Sequence, residues 1–519
     1  MNRKKTDLIK QLDLPCILIP LVVVVALCAC FILFPAQSTA AVDVIRNFLG
    51  NELGFYYLVL LFVFFCITFV IAFSKYGNIR LGKLEKPEYS DFKWAIMIFT
   101  GTFAADVIYY SFVQWAMNAA DPGLEAFGSV QEFANTFAMF HWGPIGWGLY
   151  IVLACAFGFM IHVRGRERQK FSEACRPILG DRVDGTLGKS IDVLTILVLL
   201  CGAATTFSIT SPFLSAVLSR ILGLSAQGPW LSVVILVSIC VLYTISVLYG
   251  VKGHLNSANV CVWLLFLLLA VFLVFGGEAR SIVESGVSSI SVMLQNFFKM
   301  ALWVDPERAA SGFVQNWTIF FWAYWMAWCI ATPFFIAVIS RGRTIRNMIL
   351  GTYAYGVSGT FLGFFVFGGY SMRQQALGVV DVVGTVASGG DLSATVLTIF
   401  DTLPLPGVLL TIFLIMMLTF YSTTFDSITL VVSAYSYKHM GAELNTSKAV
   451  RIFWALTFII FPIGLIFAGD TISNLQGVSI IAAFPLGIIL ILVVASFFKD
   501  AKAYLQEQEA YHDADQTAV

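Results

Sequence analysis

Two residue patterns in this 519-residue chain are suited to chemistry, and both concern cations. The first is an aromatic run, Trp317-Thr318-Ile319-Phe320-Phe321-Trp322-Ala323-Tyr324-Trp325-Met326-Ala327-Trp328, which holds four of the twelve tryptophans. On a helix, Phe321, Tyr324, Trp325 and Trp328 fall at i, i+3, i+4 and i+7, so one face stacks large π surfaces. A quaternary ammonium has no N–H to donate. Ring faces attract it instead through their quadrupole, at roughly 0.5 to 2 kcal/mol per contact. The second pattern is a lone carboxylate, Asp106, in the middle of an apolar stretch. Within a bilayer an ionised side chain there costs on the order of 2.5 to 3.5 kcal/mol even on lenient scales, so such an Asp reads as functional. No Lys or Arg lies inside an apolar segment, away from its ends, to pair with it.

The elements that must hold these side chains follow from composition. With 59% hydrophobic and 12% charged residues the chain reads as all-α, a polytopic helical membrane protein. Apolar spans of about twenty residues recur twelve times, near 15–34, 54–74, 93–117, 144–163, 190–212, 229–249, 258–276, 316–338, 347–369, 405–434, 451–468 and 477–497. The first is long enough to span and lacks a clear small-residue cleavage site, so it reads as a helix rather than a signal peptide. Segment 280–300 mixes Ser, Glu, Gln and Lys with apolar residues and reads as an amphipathic helix at the interface. After Phe498 the short mixed tail is either a solvated helix or disordered.

Charge gives orientation. About 25 of the 31 Lys and Arg fall on the side facing the N-terminus, so both termini are expected in the cytoplasm, the chain crossing the inner or plasma membrane. Residues 118–141 contain neither Lys nor Arg and read as an outside loop. Net charge is zero, which suggests no nucleic-acid partner. The ten cysteines show no CxxC or His/Cys ligand spacing, so neither a disulfide framework nor a zinc site is expected. Without a nucleophile elbow, phosphate loop or metal-ligand cluster, the chain is expected to be neither an enzyme nor a holder of a resident cofactor. His141 and His254 read as structural.

From Asn316 to Trp325 the chain resembles the betaine/carnitine/choline transporter family. The family's signature is a Gly, Ser, Asp or Asn followed by W-T-x-x-(F/Y)-W-x-W-W, and the one departure is Tyr324 in place of Trp. Ile339-Ser340-Arg341-Gly342-Arg343-Thr344-Ile345-Arg346 is similar to the family's A-R-I-S-R-G-R-(S/T)-(I/V)-R, with Val338 where the first Arg stands. Taken alone, such a basic run marks only a cytoplasmic span end. The resemblance implies a secondary transporter with two LeuT-like five-helix inverted repeats after two N-terminal helices. It divides the chain into 1–92, with the first two spans; 93–276, the first repeat; 277–315, the interfacial helix; 316–498, the second repeat; and 499–519, a cytoplasmic tail. It also implies a homotrimer, and a substrate held midway across the bilayer where paired helices break.

Particular residues carry over. Thr102-x-Ala104-x-Asp106 matches a family stretch reading G-x-G-x-G in betaine-transporting members and G-x-G-x-D in choline-transporting ones. Electrostatics agree with the second, because choline is a net cation whereas betaine and carnitine bring a carboxylate to meet Asp106; a protonated Asp106 would still admit a zwitterion. The segment His141-Trp142-Gly143-Pro144-Ile145-Gly146-Trp147-Gly148-Leu149-Tyr150 is similar to the family's H-W-G region. The resemblance implies that Trp147 and Tyr150 join Tyr324, Trp325 and Trp328 in a substrate cage, with Trp142 and Trp322 as outer candidates. Thr423 and Thr424 lie in a segment similar to F-x-x-T-S-x-D-S, whose hydroxyls, with carbonyls of span 3, bind sodium in the family; hydroxyl and carbonyl oxygens are suitable hard ligands. Family exchangers carry a Met and an Arg where Thr332 and Cys261 align. Sodium coupling, proton coupling through Asp106 and exchange all remain open. The expected substrate is choline or a related cation, with carnitine or betaine as the alternative.

Overall fold

The computed structural model describes residues 11–101, 104–224, 229–249, 251–306, 312–438, 446–467 and 472–517. Among the described residues every regular element is helical, apart from two isolated antiparallel bridges, Leu12 with Tyr437 and Arg80 with Thr344. Helices pair their backbone groups within one segment, as hydrocarbon surroundings demand. Among those residues, eight helices are long and apolar enough to cross a membrane, or up to eleven when each bent pair counts as one span. The sixth expected span falls on helix Pro229–Tyr249, whose described apolar stretch, Trp230–Ile245, is shorter than the others.

Three expected spans are bent. In span 3, helix Asp91–Thr100 gives way to Ala105–Ala120 at 62°, and Thr102 lies outside the described residues. In span 8, Val314–Trp328 meets Thr332–Ile339 at 54°. Pro333 is the reason, because it has no N–H to offer the Cys329 carbonyl. Span 7 turns by 111° into helix Ala279–Leu302, which covers the expected amphipathic segment. That corner passes through Gly277 at φ +73°, a conformation that suits glycine.

Residues 118–141 are not simply a loop. They contain helix Val130–His141, with Phe133, Phe137 and Phe140 in the core. Ser129 caps its N-terminus, the hydroxyl accepting from the Glu132 N–H at 3.3 Å and donating to the Glu132 carboxylate at 2.9 Å. Burial excludes Lys and Arg from this helix irrespective of which side of a membrane it lies on.

One face gathers the basic loops and the described ends of the chain. The Asp13 N–H donates to the Ser436 carbonyl at 2.8 Å, and buried Lys170 lies 3.7 Å from both Asp13 and Asp192. Gly342 donates to the Leu81 carbonyl at 2.6 Å, joining the loops that follow spans 2 and 8. Arg343, expected only as a topological charge, is 4% exposed. It donates to Asp91 at 2.7 Å and stacks 4.1 Å from the Trp94 ring. The last helix, Ile472–Thr517, has 46 residues. At 1.5 Å each that is about 69 Å, against a hydrocarbon core of about 30 Å. The tail after Phe498 is therefore helix, and Arg164 and Arg166 hold it at Asp500, at 2.8 and 2.5 Å.

Candidate functional site

A cavity of about 100 Å³ lies where the two breaks meet, with Gly101 and Ala104 on one side and Trp328 and Thr332 on the other. At roughly 10–15 Å³ per water it has room for several waters or one small organic cation. Spans 4, 5, 9 and 10 complete the wall.

Asp106 stands in the first turn of helix Ala105–Ala120, whose N-cap, Ala104, supplies no side-chain cap. The exposed N–H groups and the positive end of the helix dipole favour a carboxylate there. Asp106 is 3% exposed. Its Oδ2 accepts from the Tyr324 hydroxyl, which is also bonded to the Thr206 hydroxyl. Among the described residues its Oδ1 has no hydrogen-bond partner and no Lys or Arg pairs with the carboxylate.

The rings around it are fixed by their edges. Trp325 lies 4.6 Å from Tyr150, 5.7 Å from Trp147 and 5.8 Å from Trp142, centroid to centroid. Its Nε1 donates to the His141 carbonyl at 2.8 Å. Trp147 Nε1 reaches Thr360 Oγ1 at 3.4 Å. Trp142 Nε1 donates to Gln114 Oε1 at 2.8 Å. An indole only donates, so the Gln114 amide group faces the other way and donates to His141 Nδ1 at 3.0 Å; Nε2 of His141 then donates to Thr318 at 2.9 Å. His141 is thus a joint in the scaffold. Glycines let the rings in: a Cβ on Gly146 would lie 2.4 Å from the Trp325 ring, and one on Gly356 2.9 Å from Trp147.

Of the residues singled out in the sequence, Asp106, Trp142, Trp147, Tyr150, Tyr324, Trp325, Trp328 and Thr424 are in the wall. Trp322 is not; it is fully buried against Phe140 and His141, at 5.7 and 6.0 Å. Phe321, which shares the predicted stripe, stacks on His141 at 4.8 Å and also lies outside the wall. Thr423 donates to the Phe420 carbonyl at 3.0 Å, whereas Thr424 borders the cavity. Among the described residues no three of His, Cys, Asp and Glu converge as metal ligands; the hydroxyls of Thr424 and Thr332 are of the kind sodium accepts. Sequence reasoning missed Thr206, Tyr421 and Thr360 in the wall. Thr206 follows the small residues Gly202-Ala203-Ala204-Thr205 in an apolar span and reads there as an ordinary helix hydroxyl.

A family model described as "BCCT, betaine/carnitine/choline family transporter" matches residues 15–506. A "Probable glycine betaine transporter" of Desulfitobacterium hafniense is 28% identical over 476 residues, covering 90% of this chain and 93% of that protein. A "Carnitine transporter" of Acinetobacter baumannii is 26% identical over 470 residues, 88% and 84% of the two chains. A "High-affinity choline transport protein" of Escherichia coli is 28% identical over 493 residues, 91% and 69% of the two.

Proposed function

The chain belongs to the betaine/carnitine/choline family of transporters, and from that premise we propose that it carries choline, or a closely related quaternary ammonium cation, into the cell. The observation behind this reading is Asp106, a buried carboxylate with one oxygen unpartnered among the described residues, in a wall otherwise rich in aromatic rings. A cation gains from both kinds of group at once, from the carboxylate by Coulomb attraction and from the rings by their quadrupoles. A zwitterion brings a second carboxylate to the same place. In this reading Trp147, Tyr150, Tyr324, Trp325 and Trp328 are the cage, Trp142 closes its outer side, and Trp322 backs the signature helix.

The rest of the mechanism follows from the breaks. Segments 93–276 and 316–498 act as the two inverted repeats, and rocking one against the other opens the cavity to each side in turn. The paired bends in spans 3 and 8 support this. The face that gathers the basic loops is assigned to the cytoplasm, with both termini, in a twelve-helix protomer of a homotrimer. Coupling is assigned to sodium at Thr424 and Thr423, with proton coupling through Asp106 as the other mode.

A second reading, glycine betaine or carnitine as substrate, has its own support. Two of the relatives carry those names, and Trp328 Nε1, on a residue of the cavity wall, has no acceptor among the described residues. A substrate carboxylate would supply one. The deciding experiment is equilibrium binding to purified protein of choline, glycine betaine and carnitine, each with and without sodium. Choline binding alone supports the first reading, and sodium dependence supports the ion assignment. A preference for either zwitterion puts the second reading in its place.

A further inference from the structure

Asp106 is held by the hydroxyl edge of one of the cage rings. Its Oδ2 accepts from the Tyr324 hydroxyl, which is bonded in turn to Thr206 Oγ1. An ionised carboxylate only accepts, so the single Tyr324 proton goes to Asp106 and the Thr206 proton goes to the Tyr324 oxygen. The chain of donors therefore runs one way, from Thr206 through Tyr324 to Asp106. Its far end is fixed as well: the Thr206 carbonyl accepts from Thr210 Oγ1 at 2.7 Å and from the Tyr421 hydroxyl at 3.3 Å. All of these hydroxyls are buried. With Oδ2 engaged, Oδ1 is the carboxylate oxygen left without a partner among the described residues.

Resting on the reading of this cavity as a quaternary-cation site, we propose that Thr206 is a specificity-determining position: through the Tyr324 hydroxyl it fixes the Asp106 carboxylate with Oδ1 free for the ligand, and so sets the preference for cation over zwitterion. Thr206 is a positioning residue, and Tyr324 has two separable duties. Its ring is part of the cage, and its hydroxyl aims the counter-charge. A tryptophan at this position, as in the family's signature, would keep a ring but bring no hydroxyl to Asp106, so the Tyr and the Asp act as a matched pair.

The test uses the purified full-length protein and measures choline and glycine betaine affinities side by side. Thr206→Val keeps the shape of the side chain and removes the hydroxyl; Tyr324→Phe keeps the ring and does the same. Each is expected to weaken choline by about threefold to tenfold, the scale of one hydrogen bond's net contribution, and to lower the choline-to-betaine affinity ratio. Thr206→Ser retains the hydroxyl and is expected to stay within about twofold of the unsubstituted protein. In an Asp106→Asn background, Thr206→Val is expected to add little, because a positioning residue has nothing left to position. An unchanged ratio in Thr206→Val, or an undiminished effect of that substitution beside Asp106→Asn, overturns the proposal and leaves the cation site standing. An unsubstituted protein that binds no quaternary ammonium overturns the site reading itself, and that result appears before any variant is made.

Discussion

Trp325 has more ring neighbours in the cavity wall than any single substitution can replace, with Tyr150, Trp147 and Trp142 all within 5.8 Å of it. Trp325→Leu is therefore expected to weaken every quaternary ammonium ligand by about tenfold or more, since two or more ring contacts are disturbed together. Titration calorimetry with choline and tetramethylammonium checks this, and a normal affinity refutes the cage. Gly146 offers a subtler test. Its added Cβ would stand 2.4 Å from the Trp325 ring, so Gly146→Ala is expected to reduce binding by moving the ring, with no change of chemistry in the wall. Gly407→Ala, where a Cβ meets nothing within 4 Å, is the control that should bind normally.

At the scale of helices, the break in span 8 depends on what Pro333 lacks. Pro333→Ala restores an N–H that can reach the Cys329 carbonyl and draw the two halves into one helix. Uptake in cells is expected to fall several-fold at normal membrane expression, and undiminished uptake would show that the bend is imposed from elsewhere. The N-terminus of helix Val130–His141 makes a second prediction: Ser129→Ala removes the capping bond and the hydroxyl's bond to Glu132, and is expected to cost about 1 kcal/mol, read as a lower melting temperature. These elements also show what could be read in the chain beforehand. The aromatic spacing puts Tyr324, Trp325 and Trp328 on one face, and the cavity lies there; Asp106 is legible because the only other charge in its span is Lys93, at the very end. The bend after Trp328 was hidden, because hydropathy runs unbroken across it and only Thr332-Pro333 signals the stop. Ser129-x-x-Glu132 marks a helix start within residues 118–141, whereas the absence of Lys and Arg there carries no information on secondary structure. Thr206 could not be found from one sequence, since its importance lies in a partner 118 residues away.

At the scale of the whole molecule, one cluster of half-buried ion pairs ties the loop after span 4 to the last helix. Arg164 and Arg166 share Asp500, whose side chain is 11% exposed, and Arg164 also reaches Glu507 at 2.8 Å. Asp500→Ala removes the carboxylate common to both arginines, so the end of the helix is expected to fray; limited trypsin digestion should then cut faster after Lys499 and Lys502, and an unchanged rate would mean that Glu507 alone suffices. The same helix packs along the signature helix, with Gly487 so close that a Cβ there would lie 2.9 Å from the Met326 side chain. One continuous rod thus runs from the flank of the cage to Thr517. A rod of this length is expected to turn a small displacement beside the cavity into a larger sweep at its tip, so a fluorophore placed near residue 510 should change its emission when choline is added, and an unchanged signal would show that the rod stays still.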